Sequence, residues 1–299
     1  MASTGQDKWA AWVLRRRHGG DPSQREKELE YLIPIRERVL DNAGIRRGDV
    51  VLDVGSGDGL IAFGALERVG TEGRLIGSDI SRDLLQHAEA VAAELGHADR
   101  ASFVEARAED LSPIADATVD VVTTRSVLIY VEDKARAFRE VHRVLRPGGR
   151  LSIFEPINSY FPEIPDEFWG FDSRPVRDLV AKVWEYEGWT ESAYEEDPMM
   201  NFTEKDLLRY AEDAGFHEVH VELAVDVEPG TWVVDWERLL DTSPNPNAHT
   251  VREALQGALT REELVRFERH IRPLADAGRG TKRSAFAYLH ARKGDRSPT

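Results

Sequence analysis

The stretch Val51-Leu52-Asp53-Val54-Gly55-Ser56-Gly57-Asp58-Gly59-Leu60 decides how the rest of the chain is read. An apolar run ends in three alternating glycines, and a helical pattern from Leu60 to Val69 begins directly after them. Glycine allows positive φ and close approach of a ligand to the backbone, and the first N–H groups of a helix lack partners within it. A dinucleotide fingerprint, G-x-G-x-x-G, would need its third glycine where Leu60 stands, so this is a different glycine loop. The next apolar run ends Leu75-Ile76-Gly77-Ser78-Asp79. That places an acid about 20 residues beyond the loop, where a carboxylate can take both hydroxyls of a ribose. The implied ligand is a nucleoside with an unmodified 2′-hydroxyl.

Working outward, short apolar runs alternate with helical segments. Val50 to Val54, Arg74 to Ser78, Ala101 to Glu105, Val119 to Thr123 and Arg150 to Phe154 read as buried parallel strands. Leu60 to Val69, Arg82 to Leu95 and Asp133 to Leu145 read as the helices between them. Such alternation predicts a three-layer α/β sandwich with right-handed crossovers. Thr203 to Ala214 adds a helix with an N-cap threonine, and His217 to Val225 and Ser284 to Ala291 add two strands. The expected divisions are a helical cap at 1–44 with Pro34 as a possible kink, a core at 45–155, an insert at 156–201, a core helix and strand at 202–225, a helical insert at 226–283 holding three helices, and the last strand and tail at 284–299. Inserts this long border the carboxyl ends of the strands, where ligands of such sheets bind, and read as lids.

Composition narrows the function. The chain has 299 residues and a formal net charge of -15, opposite to what a phosphate backbone attracts, so no nucleic-acid partner is expected. There is no cysteine, which excludes disulfides, thiolate zinc sites and thiol nucleophiles. No apolar run approaches the roughly 20 residues of a membrane span, and the segment Met1 to His18 lacks the order of a signal peptide, so a cytoplasmic protein is expected. No set of carboxylates at the strand ends forms a magnesium site, and metal independence is expected.

The ordered motifs resemble those of the class I S-adenosylmethionine (SAM) dependent methyltransferases. They are the Asp53 to Gly59 loop, Asp79, Ala108-Glu109-Asp110-Leu111, Arg125-Ser126-Val127-Leu128 and Arg143-Val144-Leu145-Arg146-Pro147-Gly148-Gly149. The resemblance implies a Rossmann-like seven-stranded sheet, mostly parallel with the last strand antiparallel, and SAM as cofactor. Carried over residue by residue, it implies that Gly55, Ser56, Gly57 and Gly59 form the loop around the methionine part, with Asp53 near its ammonium. Asp79 would hold the ribose and Ile80 would pack on adenine. Ala108 and Glu109 would sit at the adenine edge, the Arg125 backbone would face the methionine moiety, and Ser126 would also border the cofactor. Many relatives have an aspartate just before the alanine, whereas this chain has Arg107, which has donors and no acceptor. The stretch Arg143 to Pro156 is similar to a signature of the quinone C-methyltransferases, with Pro156 where that signature ends in serine.

All seven tryptophans, Trp9, Trp12, Trp169, Trp184, Trp189, Trp232 and Trp236, lie outside the Val50 to Pro156 core. A pocket that one or two of them line suits a small apolar or aromatic acceptor, while the others pack the inserts. Arginine exceeds lysine by 32 to 7, as in high-GC bacteria, which places the acceptor in secondary metabolism. Methyl transfer from a sulfonium needs alignment and desolvation, and a general base is optional. The candidates for one are His18, His249, Glu155 and Tyr160; His87, His97 and His142 read as solvent-facing. The acids Glu185, Glu187, Glu191, Glu195, Glu196 and Asp197 read as a solvated face. Other uses of the same fold are a SAM-binding enzyme with a different reaction and a non-catalytic SAM-binding partner. The oligomeric state stays open between monomer and homodimer.

Overall fold

The computed structural model describes residues 7–18, 22–161, 166–189, 196–230 and 235–295. Helices α1 (Lys8–Leu14) and α2 (Pro22–Asn42) precede the sheet, and Pro34 lies inside α2. Strand β1 (Val50–Val54), helix α3 (Leu60–Val69), strand β2 (Arg74–Asp79), helix α4 (Arg82–Glu94) and strand β3 (Ala101–Glu105) follow. Strand β4 (Val119–Arg125), helix α5 (Lys134–Val144) and strand β5 (Leu145–Pro156) complete the first half. Then come a two-stranded hairpin of β6 (Glu167–Phe168) and β7 (Phe171–Asp172), helix α6 (Arg177–Glu187), helix α7 (Glu204–Asp213) and strand β8 (Phe216–Pro229). Helices α8 (Trp236–Asp241), α9 (Val251–Ala258) and α10 (Arg261–Asp276) lead to β9 (Thr281–Lys293).

The main sheet has the order β3-β2-β1-β4-β5-β9-β8. The pairings among β1 to β5 are parallel, and β9 runs antiparallel to both neighbours. The expected seven-stranded sheet with a reversed last strand is therefore present. Strand order reverses between β1 and β4, which opens a crevice at their carboxyl ends. Alternate residues of the strands face opposite layers. Val51, Leu75 and Val121 pack under α2 and α3 with Leu40, Ala62 and Leu66, whereas Leu52, Val122 and Leu151 pack under α5 and α7 with Phe138, Val141 and Leu207. Thr203 caps its helix as expected, forming a capping box with Asp206, and Asp133 proves to be the N-cap of α5, its side chain accepting from Arg136 N–H.

The two inserts do not form separate lids. Phe168, Phe171, Leu179, Val183 and Trp184 from the first share one core with Trp236, Leu240, Leu255, Phe267 and Ile271 from the second. They make a single second lobe. The β8–β9 ribbon also runs beyond the expected limits, pairing as far as Pro229 with Thr281, so the helical excursion starts after residue 229 rather than at 226. Among the described residues no helix is long and apolar enough to cross a membrane.

Candidate functional site

The loop between β1 and α3 is fixed by short-range bonds. Ser56 N–H donates to the Ser78 carbonyl (2.9 Å), and Gly57 N–H donates to Asp79 Oδ2 (2.9 Å). Gly55 and Gly57 have φ of +67° and +54°, the left-handed region that favours glycine. A Cβ on Gly55 would meet Val127 Cγ2 at 2.2 Å, so that position is closed by packing. A Cβ on Gly57 would meet no protein atom within 4 Å. Gly59, also left-handed at +92°, turns against the Phe63 ring and does not line the cavity described next.

A cavity of about 340 Å³ lies at the carboxyl ends of β1 and β4. Asp53, Gly55, Ser56, Gly57, Asp79, Ile80, Ala108, Glu109, Arg125 and Ser126 all line it, which brings together ten of the eleven residues expected around the cofactor. Two carboxylates form part of its floor. Asp79 Oδ1 accepts from Ser81 N–H (2.9 Å) while Oδ2 takes Gly57 N–H, and burial holds its carboxyl above the ordinary range against the pull of the Ser81, Gly57 and Ile80 backbone. Asp53 accepts from the Thr123 hydroxyl across the β1–β4 pairing (2.8 Å). Burial lifts the Asp53 carboxyl to about 7, against the pull of Thr123 and the Arg125 guanidinium. Ser126 carries a positive φ of 55° and is one of few non-glycine residues to do so among those described. Arg107 is turned onto Glu109, its Nε and Nη2 donating to Oε1 at 2.9 and 2.7 Å, so this arginine serves to orient the acid beside it.

The opposite wall is apolar and aromatic. Trp9, Trp12, Val13 and Arg17 come from the N-terminal segment, Tyr130 from the turn after β4, Met199 from the first insert and Pro244 from the second. Trp9 packs edge-on against Tyr130 with ring centres 4.9 Å apart, and the Trp12 indole N–H donates to the Ser243 carbonyl at 3.0 Å. Burial raises the Tyr130 phenol above its usual range, so it stays protonated. The other tryptophans behave differently. Trp184 and Trp236 are buried in the second lobe, Trp169 and Trp189 pack against that core, and Trp232 lies outside the described residues.

The acceptor-side candidates are scattered. Glu155 is fully buried and does not line the cavity; its carboxylate accepts the N–H groups of Val127 (2.9 Å), Leu128 (2.9 Å) and Ile129 (3.3 Å), and burial lifts it to about 7. It positions the wall and does not face the contents. Tyr160 is 47% exposed, packs edge-on against Phe161 and lies outside the cavity lining. His249 sits on the second lobe with Nδ1 2.8 Å from Glu187 Oε1, also away from the cavity. His18 closes the 3-10 turn Arg16–His18, and its side chain lies outside the described residues. His142 is half-buried and packs edge-on against Phe216 (5.1 Å), not solvent-facing as expected. Of the acidic run, Glu187 is tied to His249 and Asp197 Oδ1 accepts Met199 N–H, while Glu191 and Glu195 lie outside the described residues. Tyr130 and Met199 were not singled out from sequence. Tyr130 follows the Arg125 to Leu128 motif by two residues, a signal that counting onward would reach; Met199 has none.

A family model described as Methyltransferase domain matches residues 45–215. The ubiquinone/menaquinone biosynthesis C-methyltransferase UbiE of Klebsiella pneumoniae is 34% identical over 184 residues, which cover 60% of this chain and 71% of that protein. Among solved structures, the YcgJ protein of Bacillus subtilis matches with a TM-score of 0.52 at 16% identity, covering 87% of this chain and 98% of that one. Phosphoethanolamine N-methyltransferase 2 of Haemonchus contortus, solved with S-adenosyl-L-methionine, matches with a TM-score of 0.50 at 17% identity, covering 87% and 52%. These two structures share the fold.

Proposed function

Since the chain belongs to the methyltransferase-domain family and is a class I SAM-dependent methyltransferase distantly similar to quinone C-methyltransferases, we propose that it methylates O, N or C of a small, largely apolar or aromatic acceptor. The observation that carries this reading is the wall of Trp9, Trp12, Tyr130, Met199 and Pro244 facing the glycine loop across one cavity.

The chain's own residues fit the cofactor. Gly57 leaves open space at the cavity edge where any other residue would place a Cβ, and two carboxylates border it at the positions that suit ribose hydroxyls and an ammonium. Asp79 would take the ribose hydroxyls on the lone pairs its backbone bonds leave. Asp53 would meet the ammonium, Ile80 and Ala108 would pack on the adenine, and Arg125 would face the methionine moiety. When bound, SAM supplies an electrophilic methyl group. The roof of Trp9 and Trp12 excludes water and holds the acceptor in line, which provides most of the acceleration that such a displacement requires. Tyr130 stays a hydrogen-bond donor, able to orient an oxygen of the acceptor. None of Glu155, Tyr160 and His249 lines the cavity, and alignment with desolvation carries the transfer with a general base optional.

A second reading, methylation of a ring carbon of a quinone-type acceptor, is supported by the Klebsiella relative and by the Arg143 to Pro156 stretch. Incubation with methyl-labelled SAM and a panel of 1-naphthol, 2-naphthylamine and 1,4-naphthoquinol tests both. Label on any of these supports the proposal, and its position on oxygen, nitrogen or carbon chooses between the readings. SAM binding without label on any apolar or aromatic acceptor, from the panel or from a metabolite extract, overturns it.

A further inference from the structure

Beyond the acceptor wall lies a second cavity of about 340 Å³, and Pro156, Asn158, Met199 and Pro244 line both spaces. One layer of side chains therefore separates the two chambers.

That partition is built with care at the backbone and left adaptable at its centre. Met199 N–H donates to Asp197 Oδ1 (2.8 Å), and the Met199 carbonyl accepts from Asn158 Nδ2 (3.2 Å). On either side of it, the Lys134 ammonium, 3% exposed, donates to the Pro198 carbonyl (2.9 Å) and to Asn201 Oδ1 (3.2 Å). The same ammonium holds the Val131 carbonyl (2.9 Å), so it ties the wall after β4 to the partition. What can move is the thioether of Met199, an unbranched chain that refits readily.

The contents of the second chamber follow from its walls. Phe161, Trp189 and Phe286 supply aromatic surface. Its charged side chains already have partners: Asp197 holds the Met199 N–H, and Arg283 is paired with Glu167. An uncharged ring can lie against these aromatic faces and leave both bonds in place.

We propose that this chamber is a distal acceptor subsite, so that the acceptor has two parts: a reacting ring under Trp9 and Trp12 and an uncharged apolar ring that passes Met199. This rests on the methyltransferase reading above. The test compares 4-methylphenol with 4-benzylphenol on protein saturated with S-adenosylhomocysteine, by calorimetry and tryptophan fluorescence. The second ring is expected to tighten binding at least tenfold. Ser284→Phe, which fills the chamber from its β9 wall, is expected to abolish that gain while leaving 4-methylphenol and S-adenosylhomocysteine within twofold of the parent. Trp189→Phe keeps the wall and should lose the fluorescence response specific to 4-benzylphenol, which gives a readout even if Ser284→Phe does not fold. Equal affinity for the two phenols, or a gain that survives in folded Ser284→Phe, overturns the subsite. Failure to bind S-adenosylhomocysteine overturns the parent reading instead.

Discussion

Glu155→Ala removes a buried carboxylate that accepts three backbone N–H groups, those of Val127, Leu128 and Ile129. Leaving three buried donors without partners costs about 1–3 kcal/mol each, or roughly 3–9 kcal/mol together. Against this, wild type carries the cost of an ionised group away from water. Burial raises the Glu155 carboxyl from 4.5 to about 7. That shift corresponds to about 3 kcal/mol above neutral pH. The folded value lies above the unfolded one, so the stability linked to this proton is fully present below pH 4.5 and is lost as pH rises through about 7. The alanine variant has no such proton. The stability gap between wild type and variant should therefore narrow by about 2 kcal/mol between roughly pH 5.5 and pH 8. Asp53, also raised to about 7, titrates in both proteins and drops out of the difference. Urea unfolding at the two pH values, with equal m values, measures the gap. A gap that is constant or widens with pH would refute the assignment of Glu155 as a buried, titrating clamp on the cavity wall. Glu155→Gln, which keeps an acceptor for Val127 and Leu128 without the proton, should lose the pH dependence and most of the destabilisation.

Asp79→Ala should weaken SAM by about 2–4 kcal/mol through loss of charge-assisted hydrogen bonds, while the protein stays folded; unchanged affinity in calorimetry would remove Asp79 from the site. Gly57→Val should fold at a cost of about 1–2 kcal/mol for its left-handed φ, because its Cβ meets no protein atom, yet lose SAM binding. Thermal unfolding with and without SAM separates the two effects, and normal turnover by this variant would contradict the loop assignment. SAM affinity should rise with pH through about 7, since Asp53 must ionise to meet the ammonium, with a fall approaching tenfold per unit below that. Calorimetry near pH 6.5 in two buffers of different ionisation enthalpy should detect proton release, and equal heats would count against an ammonium contact at Asp53.

The core was legible because each of its strands is a short apolar run between turn signals, and because parallel strands buried on both faces leave a strong compositional trace. The reading of Leu60 to Val69 matches α3 end to end, and the other core helices differ only at their caps. Strand β5 begins five residues earlier than read, since Leu145 pairs with Val119 before the Arg-Pro-Gly-Gly stretch shifts the register. The ends of β8 and β9 were hidden for another reason: Asp226, Val227 and Glu228 are exposed, so pairing there leaves no apolar alternation to detect. The cofactor side of the site was visible as ordered local motifs, each a few residues long. The acceptor side was not, because its wall is assembled from positions as far apart as Trp9, Tyr130, Met199 and Pro244, and their meeting depends on how two inserts share one core. His249 and Glu155 look alike as lone polar residues near the expected cleft, and only packing distinguishes a hydrogen-bonded histidine on the second lobe from a buried clamp.

Helix α1 roofs the cavity and is stitched in two directions. Asp7 reaches the start of α4, its carboxylate accepting from Ser81 Oγ at 2.7 Å and its N–H donating to Asp83 at 2.6 Å. On the other side, Trp12 binds the Ser243 carbonyl, Lys8 the Asn247 side chain and Arg16 the Glu253 carboxylate. At seven residues, α1 is far shorter than the ~12–15 residues at which an isolated helix becomes even marginal in water. Once undocked it is coil, so docking and helix formation are one event. Opening of this roof would therefore be local unfolding and not the swing of a rigid flap. Cofactor exchange then draws on the same free energy as any other melting step: mild denaturant should speed the departure of bound nucleoside well before the sheet gives way, and substitutions that raise helix propensity on the outer face of α1 should lengthen its residence.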